Sequence, residues 1–425
     1  MYNMLHKYVK VDTMQQIFER SINSVQFKRK VSMHDTLLIL ADGTVFEGIG
    51  FGRPAPTLQS LLTMETKQAP IGEIVFNTSM GVYHEIITDP SYAGQSIVMT
   101  FPHIGNYGTD LSWNEMLKNE VACRSLIIRD LYEGEIPNGR ASLDEQCKRW
   151  NLCGITDVDT RALTLHIRKN GNQYCLLVKK TDDIYTRKED IVTLLSSVPP
   201  MSQRDFITES CITTPTHLAS HVEKPKKYAL WDFGTKSSII SQLSEHGIQV
   251  SVFPATTPLH SFLYEGHQFD ALFLSNGPGD PAALGQYITQ LQEIMGSIPI
   301  LGICLGHQLA ALALGARTEK MLFGHHGSNH PVRDIHSQNV YVTAQNHSYC
   351  VMANTLPDTA KQWIINDNDG TLEGFYDDTK KVMTVQFHPE AAPGPWEGRA
   401  LFQTFISWVE QQNGDSSSQE VEHAR

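Results

Sequence analysis

No stretch of this 425-residue chain approaches the roughly 20 apolar residues that cross a bilayer, which excludes a spanning helix and predicts a soluble protein. Basic residues are in deficit, 34 Lys and Arg against 46 Asp and Glu, and a net charge of −12 argues against a surface that grips phosphate backbones. Nucleic acid is excluded as a partner on that ground. Cysteine is sparse: seven residues, scattered without a paired framework, with no secretory leader ahead of them. That pattern predicts free thiols in a reducing compartment, one of them available for catalysis. The G-x-G-x-x-G and P-loop patterns are missing, so no nucleotide site is written in motif form. No internal repeat is present.

The composition that remains is globular, with 41% hydrophobic and 19% charged residues, and the length points to two domains. Residues 1–33 stand apart. Lys7, Lys10, Arg20, Lys28, Arg29 and Lys30 face only Asp12 and Glu19. The segment reads as a disordered extension, or as a start placed too early with Met33 the true beginning; an organellar presequence is the alternative.

From residue 34 to about 190 the chain is strand-rich. Residues 37–40 and 44–51 flank Asp42-Gly43, a hairpin signal. Strands are expected at 73–77, 96–101 and 124–129. Helices are expected at 144–151 and 160–169, the second closed by Asn170-Gly171. Together these make a mixed α+β domain. Periodicity then fades from about 181, and residues 191–226, with Pro199-Pro200 and Lys224-Pro225-Lys226-Lys227, read as a linker.

Across 227–411 strands alternate with helices: 228–232, a helix over 236–246, 248–253, 271–274, a helix over 284–295, 299–303 and a helix over 306–314. This alternation predicts an α/β domain built on a parallel sheet covered on both faces. Residues 412–425 read as a polar tail.

The most informative stretch is Gly302-Ile-Cys-Leu-Gly306. It has the spacing of the G-x-S-x-G elbow with cysteine as nucleophile. A sharp strand-to-helix turn requires small residues on either side of Cys304 and sets its sulfur at a helix N-terminus, where the thiolate is favoured. The N–H of Leu305 then faces a developing oxyanion. Taken alone, the pattern also fits a buried structural cysteine. A base is supplied by His388, which ends the apolar run 382–387; Glu390 projects to the same side two residues on, completing a Cys–His–Glu triad. Ser275-Asn-Gly-Pro-Gly-Asp-Pro281 follows the strand at 271–274, and its Gly277 and Gly279 let backbone approach a ligand, with the Gly277 N–H sharing the oxyanion.

These segments together resemble the class I glutamine amidotransferases. The wider resemblance, over about residues 36–411, is to the small subunits of carbamoyl-phosphate synthetases. It rests on the three segments above with His307-Gln308, on Phe323-Gly-His-His-Gly327, Asn329-His-Pro331 and Ala344-Gln-Asn-His347. In the first half it rests on Asp42-Gly-Thr44, Gly72-Glu-Ile-Val-Phe-Asn-Thr-Ser79, Thr88-Asp-Pro-Ser-Tyr92, Pro102-His-Ile-Gly-Asn106 and Asp159-Thr-Arg161. The first half decides the match, because other class I amidotransferases lack it. The resemblance implies that Cys304 attacks the side-chain amide of L-glutamine, His388 shuttles protons, and water releases glutamate from a thioester. It implies glutamine contacts from Ser91, Gly277, Gly279, Leu305, Gln308, Asn346, Ser348 and Tyr349. It also implies no cofactor in this chain and delivery of ammonia to a large subunit that uses ATP, magnesium and bicarbonate. A higher oligomer of such heterodimers and a cytoplasmic location belong to the same expectation.

Three places depart from the family pattern: Gly81-Val-Tyr-His-Glu85, Asn172-Gln-Tyr-Cys-Leu176 and Ser348-Tyr349. The first two leave open a divergent paralogous synthetase or a weakly active regulatory subunit. Rival readings are an amidotransferase component for anthranilate, aminodeoxychorismate or GMP synthesis, which the first domain opposes, and a free-standing cysteine hydrolase, which needs neither Gln308 nor that domain. His325, His326 and His330 cluster without cysteine or carboxylate neighbours in sequence, and no metal is assigned to them.

Overall fold

The computed structural model describes residues 34–414, apart from 66, 119, 264–267 and 393. The basic segment 1–33 and the end of the polar tail lie outside the described residues.

Gly43 takes φ +82°, and its N–H closes the first turn on the Leu40 carbonyl at 2.9 Å. Strands β1 (Thr36–Leu40) and β2 (Val45–Gly52) consequently pair antiparallel, with Leu38 opposite Phe46. Three further strands fall on the expected apolar runs: β3 (Ile71–Asn77), β4 (Gln95–Met99) and β5 (Ser125–Ile127). A short helix α1 (Tyr83–Thr88), absent from the sequence reading, lies between β3 and β4. Helix α2 (Leu143–Arg149) starts on a capping box of Ser142 and Glu145, and α3 (Thr160–Asn170) ends at Gly171 as its sequence predicts.

Two strands were not legible, β6 (Cys153–Thr156) and β7 (Tyr174–Lys179). They close the sheet into a barrel of order β1-β2-β6-β5-β4-β3-β7, with β7 returning to β1 so that Leu38 faces Leu177. β6 is four residues long and contains Gly154, whose missing side chain is replaced by the Phe51 ring, 2.3 Å from where a Cβ would stand. Residues of the barrel strands meet in one cluster, Leu38, Leu40, Ile74, Phe76, Val98, Ile127, Ile155 and Leu177 among them, sealed by Leu163 and Ile167 of α3.

Helix α4 (Lys188–Ser197) runs through residue 190, and the linker segment after it holds short helical turns at Met201–Gln203 and Ile207–Ser210. Met201 and Phe206 pack with Ala93, Met116 and Ala122, while Ile207 enters the core of the second half. The polar, proline-rich composition conceals these isolated apolar anchors. Strand β8 (Thr216–His217) then joins the edge of the second sheet.

That sheet holds β9 (Lys227–Asp232), β10 (Gln249–Pro254), β11 (Ala271–Leu274), β12 (Ile300–Ile303) and later β17 (Val382–Val385) as its parallel centre, in the order β10-β9-β11-β12-β17. Side chains alternate between its faces. Tyr228 and Leu230 meet Ile239 and Leu243 of α5 (Ser237–Glu245) and Phe402 and Phe405 of α8 (Ala400–Asn413). Ala229 and Trp231 meet Tyr287 and Leu291 of α6 (Gly285–Ile294) and Leu309 of α7 (Leu305–Ala313). Both faces are covered, as the alternation predicts.

Beyond β17 the sheet turns antiparallel through β16 (Leu372–Asp377), β15 (Lys361–Asn366), β13 (Thr318–Asp334) and β14 (Val340–Val351). None of these four was expected from periodicity. β13 carries Gly324, Gly327 and Pro331, which read as loop, and it tolerates them because its register shifts between Lys320 and His325 and again between Gly327 and His330. This irregular ribbon lies against the barrel. The Thr78 N–H donates to the His326 carbonyl at 3.1 Å, and that of Asn172 to the Leu322 carbonyl at 2.9 Å.

Candidate functional site

Strand β12 becomes helix α7 at Cys304, which is forced to φ +54° and ψ −104°, a conformation that a non-glycine residue holds only under constraint. The constraint is visible on both sides. A Cβ on Gly306 would stand 2.3 Å from the Leu274 carbonyl oxygen, and one on Gly302 would stand 2.8 Å from the Gly306 backbone. The elbow glycines are therefore spaces into which neighbouring backbone fits. The Cys304 side chain is 3% exposed and its thiol donates to the Asn346 carbonyl at 3.6 Å. Neither the Leu305 N–H nor the Gly277 N–H is spent in a hydrogen bond among the described residues.

His388 follows β17 and is pinned by its own N–H to the Ala344 carbonyl at 2.9 Å. Its Nδ1 meets Glu390 Oε1 at 2.6 Å, while Nε2 is buried and unpartnered. Burial alone would lower the imidazole pKa. The Glu390 carboxylate, then the neighbouring Cys304 thiol, outweigh it and carry His388 up to about 10. Burial would likewise raise Glu390, yet the Lys236 ammonium and His388 hold it down to about 2. Sulfur, imidazole and carboxylate are thus assembled in one water-poor place, with the ring nitrogen that can exchange a proton left free.

Lys236 escaped the sequence reading. Its side chain is 1% exposed, and its Nζ donates to Glu390 Oε1 at 2.8 Å and to the Ala392 carbonyl. No local signal marks a lysine after Phe233-Gly-Thr as buried; only the sheet topology brings it to Glu390.

A cleft opens beside Cys304, lined by Ser91, Gly277, Gly279, Gln308, Asn346, Ser348 and Tyr349 together with Glu73, Gln95, Met201 and His326. Seven of the eight expected glutamine contacts are in that lining; Leu305, His388 and Glu390 are not. The polar side chains are held by one another. Asn346 donates to Asp89 at 2.9 Å and faces His326 Nδ1 at 3.0 Å, Gln95 donates to Ser348 at 3.3 Å, and Asn276 donates to Ser91 at 2.8 Å. Burial drives His326 down to about 3, so its ring is neutral and its Nδ1–H donates to the Asn346 oxygen. Gln308 donates both to the Tyr349 carbonyl at 2.8 Å and to Gln386 at 2.9 Å, which leaves its own oxygen for a ligand. Asp89, Ser91 and Gln95 come from the barrel, so the cleft is completed by the first half of the chain. Asp89 and Gln95 were missed because nothing in their own segment distinguishes them from turn and strand polars.

The expected histidine cluster divides. His326 faces Asn346, whereas His325 bonds Asp369 at 2.8 Å and lies 3.7 Å from Glu373. His325, His347 and Glu373 are the group among the described residues that could hold a metal, with ligand atoms within 4.8 Å of one another. Both ring nitrogens of His347 are already engaged, by Tyr349 and Gln345. Burial would lower His325, but its bonds to Asp369 and Glu373 push it up to about 9 from 6.5. A folded-state pKa above the unfolded one gives stability that is complete below about pH 6.5 and disappears as pH climbs through 9, worth roughly 3 kcal/mol. The unfolding temperature of the full chain is therefore expected to fall across that window, and His325→Gln to flatten the slope; an unchanged slope in the variant rejects the assignment.

Comparison with known proteins follows the same division. The family model for class I glutamine amidotransferases matches residues 229–408, and that for the CPSase domain of the carbamoyl-phosphate synthase small chain matches residues 38–177. The carbamoyl phosphate synthase small chain of Clostridium perfringens is 38% identical, over 88% of this chain and 99% of its own. That of Thioalkalivibrio sulfidiphilus is 39% identical, over 88% and 97%. A chloroplastic small chain from Oryza sativa is 36% identical, over 90% and 84%. Among the described residues no helix is long and apolar enough to cross a membrane. With both halves matched in order and relatives aligned over nearly their whole length, the chain belongs to the carbamoyl phosphate synthase small chain family and is a glutamine amidotransferase.

Proposed function

We propose that this chain hydrolyses L-glutamine through a γ-glutamyl thioester on Cys304 and hands the ammonia to a large synthetase subunit. The observation that carries the reading is the elbow geometry: a strained, buried Cys304 beside an unpartnered His388 Nε2, with unspent backbone N–H groups on Leu305 at the elbow and on Gly277 in the adjoining loop.

An imidazolium at His388, held by Glu390, is the counter-ion for a Cys304 thiolate. The thiolate attacks the glutamine Cδ, and the developing oxyanion is met by the Leu305 and Gly277 N–H groups. Collapse breaks the C–N bond as the His388 proton passes to the leaving nitrogen, giving ammonia and the thioester. The now neutral His388 takes a proton from water, which attacks the thioester and releases glutamate. Glutamine is positioned by the oxygen of Gln308, by Ser91, Asn346, Ser348 and Tyr349, and by the backbone at Gly277 and Gly279. Thiol, imidazole and carboxylate suffice for these steps. ATP, magnesium and bicarbonate are left to the partner, and the heterodimers associate into a higher oligomer.

We place the reaction in the cytoplasm. The basic segment 1–33 and the chloroplastic name of the rice relative support organellar import as a second reading. The mechanism is tested by acid-quenching the full chain with glutamine and analysing the Cys304 peptide by mass spectrometry, where a γ-glutamyl adduct is expected. Delivery is tested with the large subunit present: an ammonia-consuming enzyme in the medium should leave glutamine-driven carbamoyl phosphate formation unchanged. Loss of product to that trap would mean that the ammonia escapes.

A further inference from the structure

Lys236 is shared. Besides Glu390 at 2.8 Å, its Nζ lies 4.0 Å from Oε2 of Glu115, a residue of the barrel half that is 4% exposed. Glu115 sits on a short strap stitched to the start of α5. Met116 bridges Lys236, the Ser237 N–H donates to the Glu115 carbonyl at 2.7 Å, Ser237 Oγ donates to the Asn114 carbonyl at 2.8 Å, and Ser238 Oγ donates to Glu115 Oε2 at 2.5 Å. This is more than a packing contact, because a buried carboxylate is retained at a cost and here faces a cation that already serves the triad.

We propose that Glu115 is a positioning residue for glutamine hydrolysis: by sharing the Lys236 ammonium with Glu390 it sets how tightly Glu390 holds His388. Resting on the glutaminase reading above, the inference deepens it, since it makes the barrel half part of the triad's electrostatics and not only of the cleft wall. The ammonium stands between two carboxylates. With Glu115 charged, Lys236 is partly neutralised from the far side, and Glu390 keeps more of its negative field for His388. With that charge gone, Lys236 draws on Glu390 alone and the imidazolium is held less firmly. The groups facing Glu115 are Lys236 at the N-cap of α5 and Ser238 within it, Glu390 from the segment after β17, and Asp89 from the barrel half; Glu85 of α1 also interacts with Lys236. Burial pushes the Glu115 carboxyl up to about 7 despite Lys236, so the comparison belongs near pH 8, where it is charged.

The test uses the full chain and its glutamate release, with Glu115→Gln, which keeps the size and a bond to Ser238. The expected result is a kcat about tenfold lower with KM for glutamine within about twofold, and a kcat–pH limb moved to lower pH by about half a unit or more. Glu115→Asp should recover part of the loss. In a Lys236→Met background, Glu115→Gln should change kcat by less than about twofold, because the shared cation is gone. Full activity with an unmoved pH limb, a loss in KM alone, or losses that multiply across the two variants would overturn the inference. If Glu115→Gln does not fold, Ser238→Ala decides: it removes a hydrogen bond that favours the charged Glu115 carboxyl, so a smaller loss of kcat with the pH limb moved in the same direction is expected, and an unchanged kcat and pH limb overturn the inference. Glutamate release by wild type that Cys304→Ser abolishes is required first; its absence sinks the glutaminase reading, whereas an indifferent Glu115 sinks only this one.

Discussion

Cys304→Ser should lower glutamate release from glutamine by about a thousandfold or more while leaving the unfolding temperature nearly where it was. The substitution replaces one atom in a site that is 3% exposed, so packing is almost unchanged. Chemistry is not. A serine hydroxyl has no accessible anion near neutral pH, and the imidazolium that His388 forms beside Glu390 is a counter-ion for a thiolate, not a base waiting for an alcohol. Residual turnover comes from the cleft and the two N–H groups alone. Cys304→Gly separates the contributions further. Glycine accepts φ +54° without strain, so this variant should be inactive and yet more stable by about 1 kcal/mol. A glycine variant that loses stability would show that the elbow is relaxed in the native chain and that its geometry is not imposed by function.

The elbow could be read in the sequence because its physics is local. Gly302, Cys304 and Gly306 lie within five residues, and a strand before and a helix after follow from periodicity alone. His388 and Glu390 were legible for the same reason, since period 2 on extended backbone puts them on one side. The antiparallel ribbon of β13 and β14 was not, because its bulges break the alternation that marks a strand, and its glycines and histidines imitate a loop. Nor was the barrel's closure, which depends on Gly154 being filled by the distant ring of Phe51. The residues that hold the proposed glutamine contacts in place share this non-local character. Asp89 fixes Asn346 from 257 positions away, and Gln95 reaches Ser348 across 253. Such pairs exist only once barrel and sheet have met, so a single sequence contains the partners without their pairing.

Lys236→Met makes that non-local layer measurable. The ammonium is buried, and its pKa is raised because Glu390, Glu115 and Asp89 outweigh the desolvation that would lower it. Removing one member of a buried charge group typically costs about 3–5 kcal/mol, because the remaining charges are left without compensation. Here the cost should fall at the lower end. Glu390 keeps His388 as a partner, and Glu115, already pushed up to about 7, can take a proton and become neutral. The kinetic effect has a definite sign. Among the described residues Lys236 is the cation that lowers His388, so its loss raises the imidazole pKa further and moves the kcat–pH limb upward, opposite to the shift expected for Glu115→Gln. A more basic His388 gives up its proton less readily, so the deprotonated ring needed to activate water is scarcer. Hydrolysis of the thioester slows more than its formation, kcat falls on the order of a hundredfold, and rapid-quench experiments should show a burst of ammonia with acyl-enzyme accumulating. If kcat falls with no burst and the pH limb stays in place, the lysine only props the turn at Ala392, and the electrostatic link between Glu390 and the barrel half is absent.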